Sequence, residues 1–132
     1  MLPDVYPWGG SMPPMVDGKP MGNYAGTEAA DGNWPSQWTA LPLHADNFPR
    51  TSPVGSFPAN PLGLYDMGGN IWQWCEDRYE PDKGARVLRG GSWMSGGFAP
   101  RGLLSAARYY LAPASRNGDC GFRVVLEIKP PQ

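Results

Sequence analysis

Gly63-Leu-Tyr-Asp-Met-Gly-Gly-Asn-Ile-Trp-Gln-Trp-Cys75 is the stretch on which the fold turns. Leu64, Tyr65 and Met67 run into Gly68-Gly69, a pair that punctuates the chain as a turn. Directly afterwards Trp72 and Trp74 alternate with Gln73, so the two indoles share one face of an extended segment. That spacing predicts a half-buried strand over residues 70–77. Working outward, residues 81–84 read as a turn. Residues 86–93 (RVLRGGSW) read as a second strand, with Val87 and Arg89 on one face and Leu88 on the other. Residues 121–128 (GFRVVLEI) read as a third, rich in β-branched types and long enough for a central position, with Pro130 and Pro131 stopping it. A helix is expected near residues 103–110. Upstream, residues 51–60 (TSPVGSFPAN) read as a short strand or a bend between prolines. Residues 1–50 read as loops, because Pro3, Pro7, Pro13, Pro14, Pro20, Pro35 and Pro42 leave no helical period intact. Trp8, Trp34 and Trp38 are the expected anchors of those loops, and no internal repeat is visible.

The totals agree with a compact domain over residues 1–132. A chain of this length buries roughly two-thirds of its unfolded surface. Gly 18 and Pro 16 are high enough to raise the question of disorder. They have no period, however, and are interleaved with 6 Trp, 6 Tyr and 4 Phe, which bury large apolar areas. The expected class is α+β, a small antiparallel sheet with extensive irregular loops whose turns are set by Gly and Pro. A formal charge of −1 gives no steering toward nucleic acid or an acidic membrane surface. No apolar run reaches spanning length, so membrane insertion is not expected. The first ten residues lack a basic start followed by an apolar stretch, so no signal peptide is expected and the compartment is not legible. Cys75 and Cys120 are too few for a disulfide framework and read as two free thiols.

Several spaced blocks resemble the formylglycine-generating-enzyme (sulfatase-modifying factor) family. They are Tyr6-Pro-Trp-Gly9, Asn23-Tyr24, Pro53-Val-Gly-Ser-Phe-Pro-Ala-Asn60, the 63–75 stretch, Arg86-Val-Leu-Arg-Gly-Gly-Ser-Trp93 and Gly121-Phe-Arg-Val-Val125. The resemblance covers most of residues 6–125, in a version shortened at its N-terminal side. It implies a variant of the C-type lectin fold with little regular secondary structure. The family's enzymes bind copper through two cysteines after the Gly-Gly-Ser-aromatic strand, soft thiolates being what a Cu(I) site needs. Counted across the spacing from Met94 to Ala106-Ala107-Arg108, those two positions fall at Ser95 and Pro100. A hydroxyl is no substitute for a thiolate, and proline supplies no ligand, so oxidase chemistry is not expected. A related branch uses an iron site of several histidines, and His44 is the sole histidine here. The resemblance also implies structural calcium at Asn23, Asp46 and Asn70, oxygen ligands suited to a hard ion, weakened by Gln73 where the family commonly has glutamate. No cofactor is required by this reading.

Other constellations read as structural. His44 near Asp46 reads as a structural or exposed loop histidine, and Glu76, Asp77 and Glu80 as a solvated acidic loop. Ser92 in Gly-Gly-Ser-Trp is not a nucleophile elbow. Gly90-Gly91 lacks the lysine and following helix of a phosphate loop.

Residues 95–125 are different in composition. These 31 positions contain no Lys, Gln, Glu, Met or Trp, types that occur 22 times in the other 101. A codon AAC or AAT randomised at its two adenines reaches every amino acid type except those five, and never a stop. That is how the variable proteins of diversity-generating retroelements are diversified, and some of them use this lectin-type fold. The C-terminal segment resembles their pattern, with scaffold residues Ser105, Ala106, Arg108, Pro113, Arg116 and Gly121 between diversified ones. The resemblance assigns Ala107, Tyr109, Tyr110, Leu111, Ser115, Asn117, Gly118 and Asp119 as diversified, together with Ser95, Gly96, Gly97 and Phe98, while Met94 stays fixed. The function it implies is non-catalytic binding of a protein or cell-surface ligand by loops 95–120, with tyrosines as amphipathic contacts of low rotamer cost. Arg108 and Arg116 are expected to buttress those loops through backbone carbonyls. The alternatives are a degenerate or purely structural member of the family, or an oxidase that would need the missing thiols.

Overall fold

The computed structural model describes residues 5–29, 39–97 and 100–128. Trp34, Trp38 and Phe98 lie outside them. Short strands β1 (Met15–Val16) and β2 (Lys19–Pro20) form a small antiparallel pair. A four-stranded sheet holds β3 (Trp72–Arg78), β4 (Arg86–Arg89), β5 (Tyr109–Leu111) and β6 (Cys120–Gly121), in the order β5-β4-β3-β6. Its pairings are antiparallel except for β3 with β6, which is parallel. Thr27–Ala29 and Pro100–Leu103 are 3-10 turns. The rest of the described chain is loop, in keeping with the Gly and Pro content, and no described helix is long and apolar enough to cross a membrane.

β4 lies between two strands and is covered on both faces, so Val87 and Leu88 are both buried. It ends at Arg89 because Gly90 (φ +97) and Gly91 (φ +76) adopt left-handed backbone that other residues avoid. The turn carries Ser92 back into the interior, while Gly90 accepts a hydrogen bond from Gly69 N (2.8 Å). The Gly68-Gly69 turn is equally constrained, since a Cβ on Gly69 (φ +78) would collide with the Asn23 backbone.

The loops close over a core of Trp8, Tyr24, Leu41 and Leu103, with Tyr6, Met12 and Met21 packed against it. Trp8 is therefore the anchor expected of it. It stacks on Tyr6 at 4.6 Å and meets Tyr24 edge-on at 5.6 Å. Residues 51–60 form a bend, held where Ser52 N donates to Asn70 Oδ1 (2.9 Å) and Phe57 is buried.

Two expected elements take another form. The segment 121–128 is strand only at Cys120–Gly121, and residues 122–128 form no ladder with any described strand. Its apolar side chains stand in solvent, from 75 % exposed at Phe122 to 87 % at Val125. β propensity measures how well a side chain fits a pleated, half-buried surface, and no such surface is present here. The helix expected near 103–110 is instead the 3-10 turn, a further turn with Ala107 N donating to Leu104 O (2.9 Å), and then β5. Tyr-Tyr-Leu gains more from pairing with Arg86, Val87 and Leu88 than from helical geometry.

Candidate functional site

A cleft of about 430 Å³ opens beside β5, between the loop after β4, the turn before β5 and the residues entering β6. Three features of the chain build it. The left-handed Gly90-Gly91 turn delivers Ser92, Met94, Ser95 and Gly96 to one wall. The pairing of β5 on β4 brings Ala107, Tyr109 and Leu111 to another. The parallel pairing of β6 with β3 sets Asn117 and Asp119 against Trp72, whose backbone N donates to Asp119 O (2.7 Å).

Seven of the twelve residues expected to bind ligand therefore share this cleft: Ser95, Gly96, Ala107, Tyr109, Leu111, Asn117 and Asp119. Tyr110 lies with its ring 5.9 Å from that of Tyr109 and 4.4 Å from that of Tyr79, and it lines a neighbouring hollow with Tyr109, Lys83, Ala85 and Pro113. Tyr109 and Tyr110 are 48 % and 50 % exposed, so neither is a core residue. Ser115 sits in a turn with its N donating to Ala112 O (2.9 Å), and Gly118 has open space where a side chain would be. Gly96 and Gly97 are tighter. A Cβ on Gly96 would collide with Thr39 O, and one on Gly97 would meet Ala40 O at 3.0 Å.

Trp72, Ser92, Gly102 and Leu103 also line the cleft, and sequence reasoning had not placed them there. Trp72 was legible as a strand residue, but its meeting with Tyr109 (5.4 Å between rings) depends on strand order. Ser92 is 1 % exposed, and its hydroxyl donates to Asp119 Oδ2 (3.2 Å) and accepts from Met94 N (3.3 Å). At the position where the resemblance calls for a thiolate, Ser95 Oγ accepts from Ser92 N (3.0 Å). Cys120 borders the cleft as a free thiol, and burial, aided by the Asp119 carboxylate, pushes its pKa up to about 11. It is thus a poor nucleophile at neutral pH. Cys75 is free as well. Arg108 buttresses across thirty residues of chain, donating to Tyr79 O (2.8 Å) with its guanidinium 4.7 Å over the Tyr79 ring. Arg116 reaches only the carbonyl of its neighbour Ser115 (3.0 Å).

The residues implied for calcium serve the protein's own N–H groups. Asn70 Oδ1 accepts from Ser52 N and Asn23 Nδ2 (2.9 and 3.4 Å). Asp46 Oδ2 accepts from Tyr24 N (2.9 Å) and meets His44 Nε2 at 3.0 Å, while Oδ1 accepts from Phe48 N (2.9 Å). Asn23 Oδ1 alone is buried without a donor. A calcium ion takes six to eight oxygens, and this set offers one uncommitted side-chain atom, a poor fit to an ion shared by all three. Among the described residues, no group of three His, Cys, Asp or Glu side chains gathers as a metal site would require. His44 is buried, its Nε2 3.0 Å from Asp46 Oδ2. Glu76 and Asp77 are exposed, and Glu80 pairs with Lys83 at 2.8 Å.

Residues 4–128 match the family profile described as the sulfatase-modifying factor enzyme 1-like domain. The serine/threonine-protein kinase pkn1 of Chlamydia caviae is 41% identical over 96 residues, 60% of this chain and 15% of that protein. The inactive C-alpha-formylglycine-generating enzyme 2 of Bos taurus is 33% identical over 123 residues, 90% of this chain and 36% of that protein. Among solved structures, PvdO from Pseudomonas aeruginosa superposes with a TM-score of 0.57 at 29% identity, covering 83% of this chain and 42% of that one. Treponema denticola variable protein 1 gives a TM-score of 0.49 at 28% identity, covering 64% and 34%. The chain spans less than half the length of each of these proteins.

Proposed function

This chain belongs to the family of sulfatase-modifying factor enzyme 1-like domains, and within it we propose a non-catalytic ligand-binding module whose loops 95–120 form a diversified surface for a protein or cell-surface ligand. One observation carries the proposal. Seven of the twelve residues that the resemblance to retroelement variable proteins assigns as diversified line one cleft, and Tyr109 and Tyr110, both among the twelve, are half-exposed.

The physics favours binding. The cleft is framed by a sheet and by glycine turns of fixed conformation, so little ordering entropy is lost when a partner docks. Tyr109 and Tyr110 supply rigid amphipathic area, and Ser115, Asn117 and Gly118 supply small, adaptable neighbours. Against oxidase chemistry stand Ser95 and Pro100 in place of the thiolates such a copper site needs. The family includes a relative named as inactive, which fits a module kept for its fold. Calcium has no part in the proposal, because the Asp46 and Asn70 oxygens implied for it accept from the protein's own N–H groups.

The deciding experiment is to sequence the DNA flanking the reading frame. The expected result is a near-copy of the codons for residues 95–125, differing only where the copy carries adenine, beside a reverse-transcriptase gene. A flank with neither feature would sink the diversification and leave a degenerate family member.

A further inference from the structure

The cleft holds a carboxylate that no described cation pairs with. Among the described residues, Asp119 and Arg108 are the charged ones in its lining. The Arg108 head is turned to the Tyr79 carbonyl and ring. Asp119 is half-buried, its Oδ2 accepts one hydroxyl hydrogen bond from Ser92 (3.2 Å), and its Oδ1 faces the Cys120 thiol at 3.5 Å. No ion pair reaches it among the described residues. Trp72 and Tyr109 line the same cleft, their ring centroids 5.4 Å apart and tilted by 31°. An indole is the aromatic group best suited to attract a cation, and the attraction strengthens where water is thinned out.

We propose that this cleft selects a basic side chain, the guanidinium or ammonium of a protein ligand, seated against Trp72 and Tyr109 with its charge on Asp119. The inference rests on reading the cleft as the ligand site, and it adds the chemistry of what enters. The apolar walls, Leu103, Leu111 and Ala107, suit the methylene stem of such a side chain. A small hard cation is the wrong occupant, because it demands six to eight oxygens where the cleft offers one carboxylate, already accepting from Ser92 and Cys120. An acidic or purely aliphatic side chain would leave Asp119 repelled or buried unpaired, which costs more than the apolar contact returns.

The test is a titration of the protein with three N-acetylated, C-amidated tripeptides, Ala-Arg-Ala, Ala-Glu-Ala and Ala-Leu-Ala, followed by NMR at the Trp72 indole N–H. The arginine peptide is expected to saturate that shift and to bind at least about tenfold tighter than the other two. Asp119→Asn keeps an oxygen for Ser92 and should erase the preference. Tyr109→Leu should weaken the arginine peptide about threefold or more and leave the leucine peptide unchanged. If the leucine or glutamate peptide binds as well as the arginine one, or if Asp119→Asn binds arginine undiminished, the basic selectivity is wrong while the cleft remains a binding site. If none of the three perturbs Trp72, the cleft reading falls and this inference with it.

Discussion

Glu28 shows how one residue can work against the fold it helps to hold. Its Oε1 accepts from Asp46 N (3.3 Å), tying the first 3-10 turn to the loop that carries Asp46, while its Oε2 is enclosed without a donor. Burial raises its pKa, and the neighbouring Asp46 carboxylate raises it further against the lowering effect of backbone N–H groups. The sign follows from proton linkage. A carboxyl whose folded pKa lies above its unfolded value binds its proton more tightly when folded, so its contribution to stability is present at low pH and lost as pH rises through the carboxylate range. Glu28→Gln keeps an oxygen for Asp46 N and removes the charge. The expected outcome is a Tm above wild type at pH 7, with the difference shrinking as pH is lowered to 4. A wild type that is the more stable at pH 7 would show that the charge is paired by something other than these neighbours. The residues that resemble calcium ligands also fasten loops. Asp46 and Asn70 have the oxygens that an ion would want, and the chain uses them to fasten loops 22 and 18 residues away in sequence.

Among the elements, β4 and the segment 122–128 make opposite cases from similar residues. Leu88 on β4 is fully buried between two paired strands, so Leu88→Ala is expected to cost about 2–5 kcal/mol. Leu126, 85 % exposed, should tolerate Leu126→Ser within about 0.5 kcal/mol. Denaturant unfolding of the two variants checks this. A loss at Leu126 as large as at Leu88 would mean that 122–128 is covered in solution by more polypeptide. Sequence reading found β3 and β4 because alternation and glycine stops are local signals, and it mistook 122–128 for a central strand because propensity does not report whether a partner strand exists. The 103–110 region failed for a related reason. Its alanines and leucines allow a helix, and the free edge of β4 decided otherwise. The site was half legible. The resemblance to variable proteins pointed to the C-terminal side of the cleft, while Trp72 joins it only through the parallel β3–β6 pairing, which no local pattern records.

Among the described residues, the core and the loops proposed as variable are largely separate. Trp8, Tyr24 and Leu41 pack among the N-terminal loops, and Leu103 alone belongs to that cluster and to the cleft wall. The loop 115–119 contributes to the fold mainly through its backbone, with Asp119 O accepting from Trp72 N and Asn117 O from Cys120 N (2.7 and 3.3 Å). Backbone bonds survive a change of side chain, which is the condition a scaffold must meet if its surface is to be rewritten repeatedly. Changing Ser115→Tyr, Asn117→Tyr, Gly118→Ser and Asp119→Asn together should therefore cost less than about 1.5 kcal/mol, because these sites are exposed or half-exposed and Gly118 has open space around it. Leu103→Ala, one methyl-rich side chain removed from the shared wall at 2 % exposure, should cost about 2–5 kcal/mol by leaving a cavity beside Trp8 and Tyr24. Chemical denaturation of both proteins gives the comparison. If the fourfold exchange costs more than the single core truncation, the loop's side chains are structural and the surface is not free to vary. If the order is as expected, the fold can present new side chains at 115–119 without surrendering the core that positions them.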